Sequence, residues 1–176
     1  YITTDSKKVL VSMNPYSKNV ILINRNCLNG TERCSYALEK IKKKYKYCLI
    51  ISCDMPFLNN KIFYFFRKKV KSLKNFDGIT VHAKITNPKI LFNNSVAKIV
   101  LKKNKLIDLI SRKKIKKNNK KNFTHHGLML LKRKVLLNYK TIANTPLQLK
   151  EDNEWLKLIE NEYRIFSFLN HTIKPE

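Results

Sequence analysis

The feature that most constrains the fold is a short apolar run at residues 47–52. It is followed closely by an aspartate, Asp54, and a proline, Pro56. The run, Tyr-Cys-Leu-Ile-Ile-Ser, is continuous and has the length of a strand, so it predicts a strand buried on both faces. Helical spacing precedes it over 31–44 and follows it over 59–73. In open α/β sheets, polar groups just beyond such strands carry the chemistry. The feature therefore predicts an α/β fold with Asp54 at the edge of its sheet.

The rest of the chain continues this alternation of strands and helices. Further strands are predicted at 1–3, 20–23, 78–85, 96–101, a short segment ending at 110, 126–131 and 164–169, and further helices at 132–139 and 146–161. The lysine-rich run 113–122 is predicted to be a solvated loop. Alternation of this kind favours a three-layer α/β architecture with a largely parallel sheet.

The chain carries 37 Lys+Arg against 12 Asp+Glu, a formal net charge of +25 over 176 residues. This excess suits a nucleic-acid-binding protein, and that class is kept as an alternative. However, the basic residues are almost all lysines, and Asn, Ile, Phe and Tyr are also abundant. We therefore interpret the charge as the result of A/T-rich codons, and we do not expect a nucleic acid as partner.

Other classes of protein are disfavoured by simple counts. Hydrophobic residues make up 43% of the chain, enough for the core of one domain. Its apolar runs are far shorter than the roughly 20 residues of a membrane span, so no membrane partner is expected. The four cysteines form no CxxC pair, and no signal peptide is visible, so reduced thiols in the cytoplasm are expected.

Three segments carry candidate functional residues. In the first, residues 29–33, Gly30 allows close approach, the following helix offers free N–H groups, and Arg33 adds donors for a phosphate or a base edge. The alternative is an ordinary capped loop, with Thr31 as the N-cap. In the second, Asp54 either holds Mg²⁺ beside a triphosphate or caps the next loop.

The third segment contains the adjacent residues His125 and His126. On a strand these side chains point to opposite faces, which makes them poor joint ligands of one metal ion. One of them could instead face a cleft and bind an anionic substrate. The alternative is a packed or exposed histidine without a function.

Seven segments in the same order resemble the CMP-KDO synthetases, which are 3-deoxy-manno-octulosonate (KDO) cytidylyltransferases. YITTDSKKV resembles the family's strand ending in a TD pair, and NGTERCSYALEKI its SGTER motif. LIISCDMPFL stands where the family has VQGDEP. NSVAKIVL, LIDLISRKKI, HHGLMLL and TPLQLKEDNEWLKLIENEYRI are similar to the family's NxVKVV, ALYFSRxxIP, HxGIYxY and TPLExxExLEQLRxLExGxxI. The chain is thereby identified as a member of this family over nearly its whole length.

The resemblance implies a three-layer αβα, Rossmann-like nucleotide-diphospho-sugar transferase fold with a mixed, mostly parallel sheet, forming a single domain over 1–176. It implies an enzyme that transfers CMP from CTP to KDO with Mg²⁺, releases pyrophosphate, and serves lipopolysaccharide biosynthesis as a cytoplasmic homodimer.

The resemblance also assigns site residues. It implies that Asp54 binds the metal and, with Arg33, is catalytic, and that the nucleotide is bound by Gly30, Thr31, Arg33 and Ser52. The implied sugar-acid ligands are Lys98, Arg112, His125, Glu151 and Glu154. Another sugar-acid cytidylyltransferase, for sialic-type acids, and an inactive homologue stay open as alternatives.

The sequence departs from the family pattern at several of these places. Ser52 replaces the glutamine that reads cytosine, Trp155 the Gln of LEQLR, Met129 the Tyr of HxGIY and Lys116 the Pro of SRxxIP. The family's N-terminal PAR…STRLPGK loop and its C-terminal GVDTPEDL segment have no counterpart in the chain. A polypeptide without that triphosphate loop is expected to be inactive by itself.

Overall fold

The structure, a computed structural model, describes residues 1–55, 58–113, 115 and 123–170. Three features discussed above lie outside the described residues: the proline at position 56, the departure at Lys116 and most of the lysine-rich run 113–122. The chain is organised in two units, Tyr1–Cys48 with Lys132–Ile142, and Leu49–Leu131 with Ala143–Glu176.

Helices and strands alternate along the chain as the sequence predicts. Their order is β1 (Ile2–Thr4), α1 (Lys7–Met13), β2 (Val20–Leu22), α2 (Gly30–Lys40), β3 (Tyr47–Ile51), α3 (Lys61–Ser72), β4 (Gly78–Lys84), a 3₁₀ turn (Pro88–Phe92), β5 (Lys98–Leu101), β6 (Ile107–Ser111), β7 (Phe123–Lys132), α4 (Arg133–Asn138), a 3₁₀ turn (Tyr139–Thr141), α5 (Pro146–Glu151), α6 (Leu156–Glu160) and β8 (Ile165–Leu169).

The first unit contains a small parallel sheet and the helices around it. β1 pairs with β2, and Thr3 lies opposite Ile21 in the register. The apolar side chains of α2 and α4 are buried because their spacing turns one face of each helix inward. The buried residues of this unit include Ile23, Ala37, Leu38, Val135, Leu136 and Tyr139.

The second unit is built on a mixed sheet with the strand order β6–β5–β7–β4–β8, and β3 also pairs with β7. β4 and β8 are parallel, whereas β4–β7, β5–β6 and β5–β7 are antiparallel. The centre of this sheet is buried: β4 is buried from Gly78 to Ala83, and β7 from Leu128 to Leu131. Among its fully buried side chains are Phe66, Ile79, Ile99, Ile110, Leu128, Met129, Leu131 and Leu158. The predicted α/β fold with a mixed sheet is confirmed.

Burial of β3 on both faces, the expectation from which the fold was predicted, is wrong. Its residues are half-buried, and Ile51 is 40% exposed. Among the described strands, β3 pairs with β7 and lies off the main strand order. A continuous apolar run therefore identified the strand correctly, although it overstated how deeply the strand lies.

The prediction of a single helix over 146–161 is also wrong, because the segment forms two short helices. α5 begins with a capping box between Thr145 and Gln148 and with Pro146 at its first turn. It ends where Asp152 adopts a left-handed conformation, with φ 46° and ψ 52°, which aspartate tolerates better than most residues. Glu151 therefore closes α5, and Glu154 lies in the turn before α6.

Candidate active site

The N-terminus of α2 presents the GTER segment, and Asn29 is its cap. The Asn29 side chain accepts a hydrogen bond from the N–H of Glu32 at 2.9 Å, and the Glu32 carboxylate accepts one from the N–H of Leu28 at 2.8 Å. The predicted cap, Thr31, is wrong, since this residue is completely buried in the first turn. Gly30 begins the helix with an ordinary backbone conformation.

We expect replacement of Asn29 by alanine to lower the free energy of unfolding by about 1 kcal/mol, the usual contribution of an N-cap. Asn29→Asp is the matched control. It keeps the oxygen that accepts from Glu32 and loses only the amide donor that reaches Tyr139 Oη at 3.3 Å. Urea unfolding of both variants measures the difference. Equal stability of the alanine and aspartate variants would show that this cap contributes nothing.

Arg33 adds a positive charge in the first turn of α2. Its guanidinium forms an ion pair with Asp5, which follows β1. Its Nε atom is buried and has no hydrogen-bond partner among the described residues. The partial positive charge of the helix N-terminus and a guanidinium therefore lie close together, an arrangement that favours an anion.

In the second unit, Ser52 and Asp54 follow β3, and both side chains are exposed. The Ser52 hydroxyl donates a long hydrogen bond, 3.4 Å, to the carbonyl oxygen of Gly127 on β7. A Cβ atom on Gly127 would lie only 2.9 Å from Ser52 Oγ. The Ser52 Cβ would be 3.5 Å away, so a side chain at position 127 would require the Ser52 hydroxyl to rotate.

Three of the predicted sugar-acid ligands contact one another directly. The N–H of Arg112 donates to Glu151 Oε2 at 2.8 Å, and the ammonium of Lys98 donates to the Arg112 carbonyl oxygen. Burial lowers the pKa of Lys98, and the nearby Arg112 charge lowers it further. Glu154 is half-buried in the turn that follows α5.

His125 is buried in β7 and is held in one neutral form. The Thr80 hydroxyl donates to the carbonyl oxygen of Leu128 at 2.5 Å, so it must accept from His125 Nε2, 3.1 Å away. Burial, with smaller contributions from His126 and His82, lowers the pKa of His125 to about 3. The ring also packs edge-on against Trp155, with centroids 4.4 Å apart.

The two adjacent histidines point to opposite faces, as predicted. His126 lies on the side of Thr124, whose Oγ1 is 3.4 Å from His126 Nε2, whereas His125 contacts Thr80. Burial lowers the pKa of His126. The two rings therefore occupy different environments on β7.

Sequence reasoning missed His82, which pairs with His125 across β4 and β7. His82 Nδ1 is 2.8 Å from the Ser167 hydroxyl, and burial lowers the pKa of His82 to about 4. Thr80 and His82 are two residues apart on β4 and therefore share a face of the strand. Their pairing with β7 became visible only with the register.

Two absences concern the described residues alone. No group of three or more His, Cys, Asp and Glu side chains in that part of the chain could hold a metal ion. None of its helices is long and apolar enough to cross a membrane. Burial raises the pKa of the Cys27 and Cys48 thiols, which makes these two cysteines weak nucleophiles.

Each unit thus gathers its own set of candidate residues. The first unit holds Gly30, Thr31 and Arg33 together at one helix end. The second holds Lys98, Arg112 and Glu151 in direct contact, and it places Ser52 against the strand that carries His125.

Comparison with known proteins identifies the family. The profile of a family described as cytidylyltransferase matches residues 1–165. The 3-deoxy-manno-octulosonate cytidylyltransferases of Arabidopsis thaliana (mitochondrial) and Zea mays are 30% and 29% identical to the chain, in each case over 93% of it. The chain covers 59% and 57% of these two relatives, less than two thirds of their length.

A solved structure of a CMP:2-keto-3-deoxy-manno-octonic acid synthetase complexed with CTP has the same fold. It matches with a TM-score of 0.84 at 18% identity, over 96% of this chain and 70% of that one. The motif resemblance is therefore confirmed by sequence relatives and by the fold, and the match over residues 1–165 shows that the chain belongs to the cytidylyltransferase family.

Proposed function

We propose that the protein carrying this chain transfers CMP from CTP to the anomeric hydroxyl of KDO and releases pyrophosphate. The single observation that carries the proposal is the similarity, over nearly the whole chain, to proteins named 3-deoxy-manno-octulosonate cytidylyltransferases. Transfer of this type depends on positioning of the two substrates and on neutralisation of the phosphate charge, more than on a covalent intermediate. In this proposal, residues of the chain contribute to both.

The nucleotide side of the proposed site is the N-terminus of α2. Arg33 and the N–H groups at Gly30 and Thr31 would bind CTP, because a helix N-terminus beside a guanidinium favours phosphate oxygens. Ser52 is proposed to contact the base because it stands where the family has the glutamine that reads cytosine. Its hydroxyl makes only the long bond to Gly127, which is compatible with a rotation toward a ligand.

Asp54 would hold Mg²⁺ in this proposal. The carboxylate is exposed directly after β3, and Mg²⁺ typically takes one or two protein carboxylates together with substrate phosphates and water. One exposed carboxylate fits that requirement, although it could not form a protein cage. The bound ion would supply charge neutralisation on the phosphate oxygens.

The sugar-acid side of the proposed site is built on Arg112 and His125. Arg112 would bind the carboxylate of KDO, since a guanidinium fits a carboxylate with two parallel hydrogen bonds. His125 is neutral near pH 7 because its pKa is about 3, so it would accept a hydrogen bond rather than provide charge. Its Nε2 already donates to Thr80, which leaves Nδ1 as the acceptor. Glu154 would accept hydrogen bonds from sugar hydroxyls.

Full-length protein mixed with CTP, KDO and Mg²⁺ is expected to release pyrophosphate, measured by a coupled assay. Omission of KDO is the control for hydrolysis of CTP. Release with a sialic-type acid and not with KDO would favour the other sugar-acid class, and no release with either acid would favour an inactive homologue.

The proposal includes a cytoplasmic homodimer acting in lipopolysaccharide biosynthesis, as the family resemblance implies. Sedimentation of the active full-length protein tests the dimer.

A further inference from the structure

The backbone of Arg112 is bonded on both sides of its Cα by buried side chains of opposite charge. Glu151 Oε2 accepts the Arg112 N–H at 2.8 Å, and Lys98 Nζ donates to the Arg112 carbonyl oxygen. Lys98 is completely buried and Glu151 is 9% exposed. The two peptide groups on either side of the Arg112 Cα are therefore both bonded, one to an anion at its N–H and the other to a cation at its carbonyl oxygen.

Both charged groups have a second partner within the protein. Glu151 Oε2 also accepts from the Ser111 hydroxyl at 2.9 Å, and Lys98 Nζ also donates to the Asn93 carbonyl oxygen at 2.6 Å. Burying a charge is costly unless it is hydrogen-bonded. These bonds therefore explain how two charged residues are tolerated here, and they bind Glu151 Oε2 and two of the three Lys98 N–H donors to the protein chain.

The fold places the two groups accurately. Lys98 begins β5 and lies opposite Ser111 in the β5–β6 register. Glu151 is the last residue of α5, whose start and end are fixed by the capping box and by the left-handed Asp152. Both residues therefore sit on rigid elements that meet where β6 ends.

The Arg112 side chain is oriented by backbone carbonyl groups of two neighbouring segments. One terminal nitrogen donates to the Ser95 carbonyl oxygen at 3.1 Å and the other to the Asp152 carbonyl oxygen at 3.5 Å. A guanidinium has five N–H donors, so two such bonds set its plane without consuming its capacity to bind an anion.

We propose that Lys98 and Glu151 are positioning residues. They fix the backbone of Arg112 so that its guanidinium can bind the carboxylate of the sugar acid. The identity of that ligand rests on the proposed function. The positioning of the Arg112 backbone by Lys98 and Glu151 rests only on the hydrogen bonds described above. Family resemblance had assigned both residues to sugar-acid binding, whereas their contacts direct them to the backbone of Arg112.

The first test compares Glu151→Leu with Glu151→Gln in full-length protein. Both hydrogen bonds reach the same oxygen, so the glutamine carbonyl can accept both while the leucine can accept neither. We expect the leucine variant to raise the KM for the sugar acid about 10-fold or more, as removal of a hydrogen bond to a charged group does, with the KM for CTP unchanged. Glutamine should stay within about 3-fold of wild type.

The second test asks whether Glu151 acts through Arg112. If it does, the double variant Glu151→Leu/Arg112→Ala should bind the sugar acid no worse than Arg112→Ala alone. Losses that multiply in the double variant would overturn the proposal. An equal loss in the glutamine and leucine variants would overturn it too, because that result would mean the charge itself binds substrate.

The third test does not depend on activity. Hydrogen exchange of the Arg112 amide, followed by NMR, should be slow in wild type and in Glu151→Gln. It should become at least about 10-fold faster in Glu151→Leu, since an amide without its acceptor opens readily. Lys98→Met, which keeps the aliphatic stem and removes the donors, should also speed it.

The outcomes separate the two proposals. If wild-type protein releases no pyrophosphate with any sugar acid and the Arg112 amide is nevertheless protected as described, the proposed function fails and the positioning role stands. Fast exchange in folded wild-type protein would overturn the positioning role directly, even if the Glu151→Leu variant did not fold.

Discussion

Replacement of Asp54 by asparagine is expected to reduce pyrophosphate release by about 10³-fold, or roughly 4 kcal/mol of transition-state stabilisation. Asparagine keeps the size of the side chain and one oxygen, so the turn after β3 should survive. The negative charge that attracts Mg²⁺ is lost. Steady-state release from CTP and KDO over a range of Mg²⁺ concentrations measures the effect, and the variant should also require more Mg²⁺.

A matched control for this experiment is Glu162→Gln. Glu162 is an exposed carboxylate in a turn of the same unit, so its replacement makes the same change of charge on the surface. We expect the control to keep wild-type turnover. Undiminished turnover in Asp54→Asn would remove Asp54 from the site, and an equal loss in both variants would point to overall charge rather than to a metal ligand.

Local patterns in the sequence were sufficient to locate the strands that carry or precede the candidate site residues of the second unit. The apolar run of β3 and the proline after it placed Asp54 at a strand end, and period-2 alternation placed β4. These predictions needed only neighbours along the chain. The error in the burial of β3 arose because the number of partner strands is not encoded in the strand itself.

The contacts within the site required tertiary information. The sequence predicted Thr31 as the N-cap of α2, whereas Asn29 caps the helix in the structure. The break at Asp152 was missed because the apolar spacing of the segment continued through it. As a result, Glu151 and Glu154 were expected on one helix.

The grouping of Lys98, Arg112 and Glu151 illustrates the same limit. These residues lie on β5, after β6 and at the end of α5, and no spacing rule connects them. Family resemblance named all three, yet it could not distinguish a ligand of the substrate from a residue that holds one. That distinction depends on which atoms are already bonded, and both carboxylate and ammonium are bonded to backbone.

The second large effect that we expect is a loss of stability in mild acid, caused by the buried histidines of β4 and β7. The pKa is about 4 for His82 and about 3 for His125, against an ordinary value of 6.5. Below pH 6.5 the unfolded chain binds a proton at each histidine that the native protein does not bind. Stability is therefore complete above pH 6.5 and falls as the pH drops toward 4.

The size of this effect follows from the number of protons taken up. Two histidines give a slope of roughly 2.5 kcal/mol per pH unit near pH 5, and a whole domain is stable by only about 5–15 kcal/mol. Urea unfolding between pH 7 and 4.5 measures the slope. It can be followed by the fluorescence of Trp155, the one tryptophan of the chain, which packs against His125.

Single replacements show how much each histidine contributes to the pH dependence of the free energy of unfolding. His82→Asn and His125→Gln each remove one titrating ring, so each should reduce the slope by about half although both variants lose native contacts at pH 7. His126→Gln should change it less, because the pKa of His126 is lowered to a smaller extent. If neither of the first two variants flattened the profile, acid sensitivity would have to come from carboxylates, and the neutral hydrogen-bonded state inferred for His125 through Thr80 would lose its thermodynamic support.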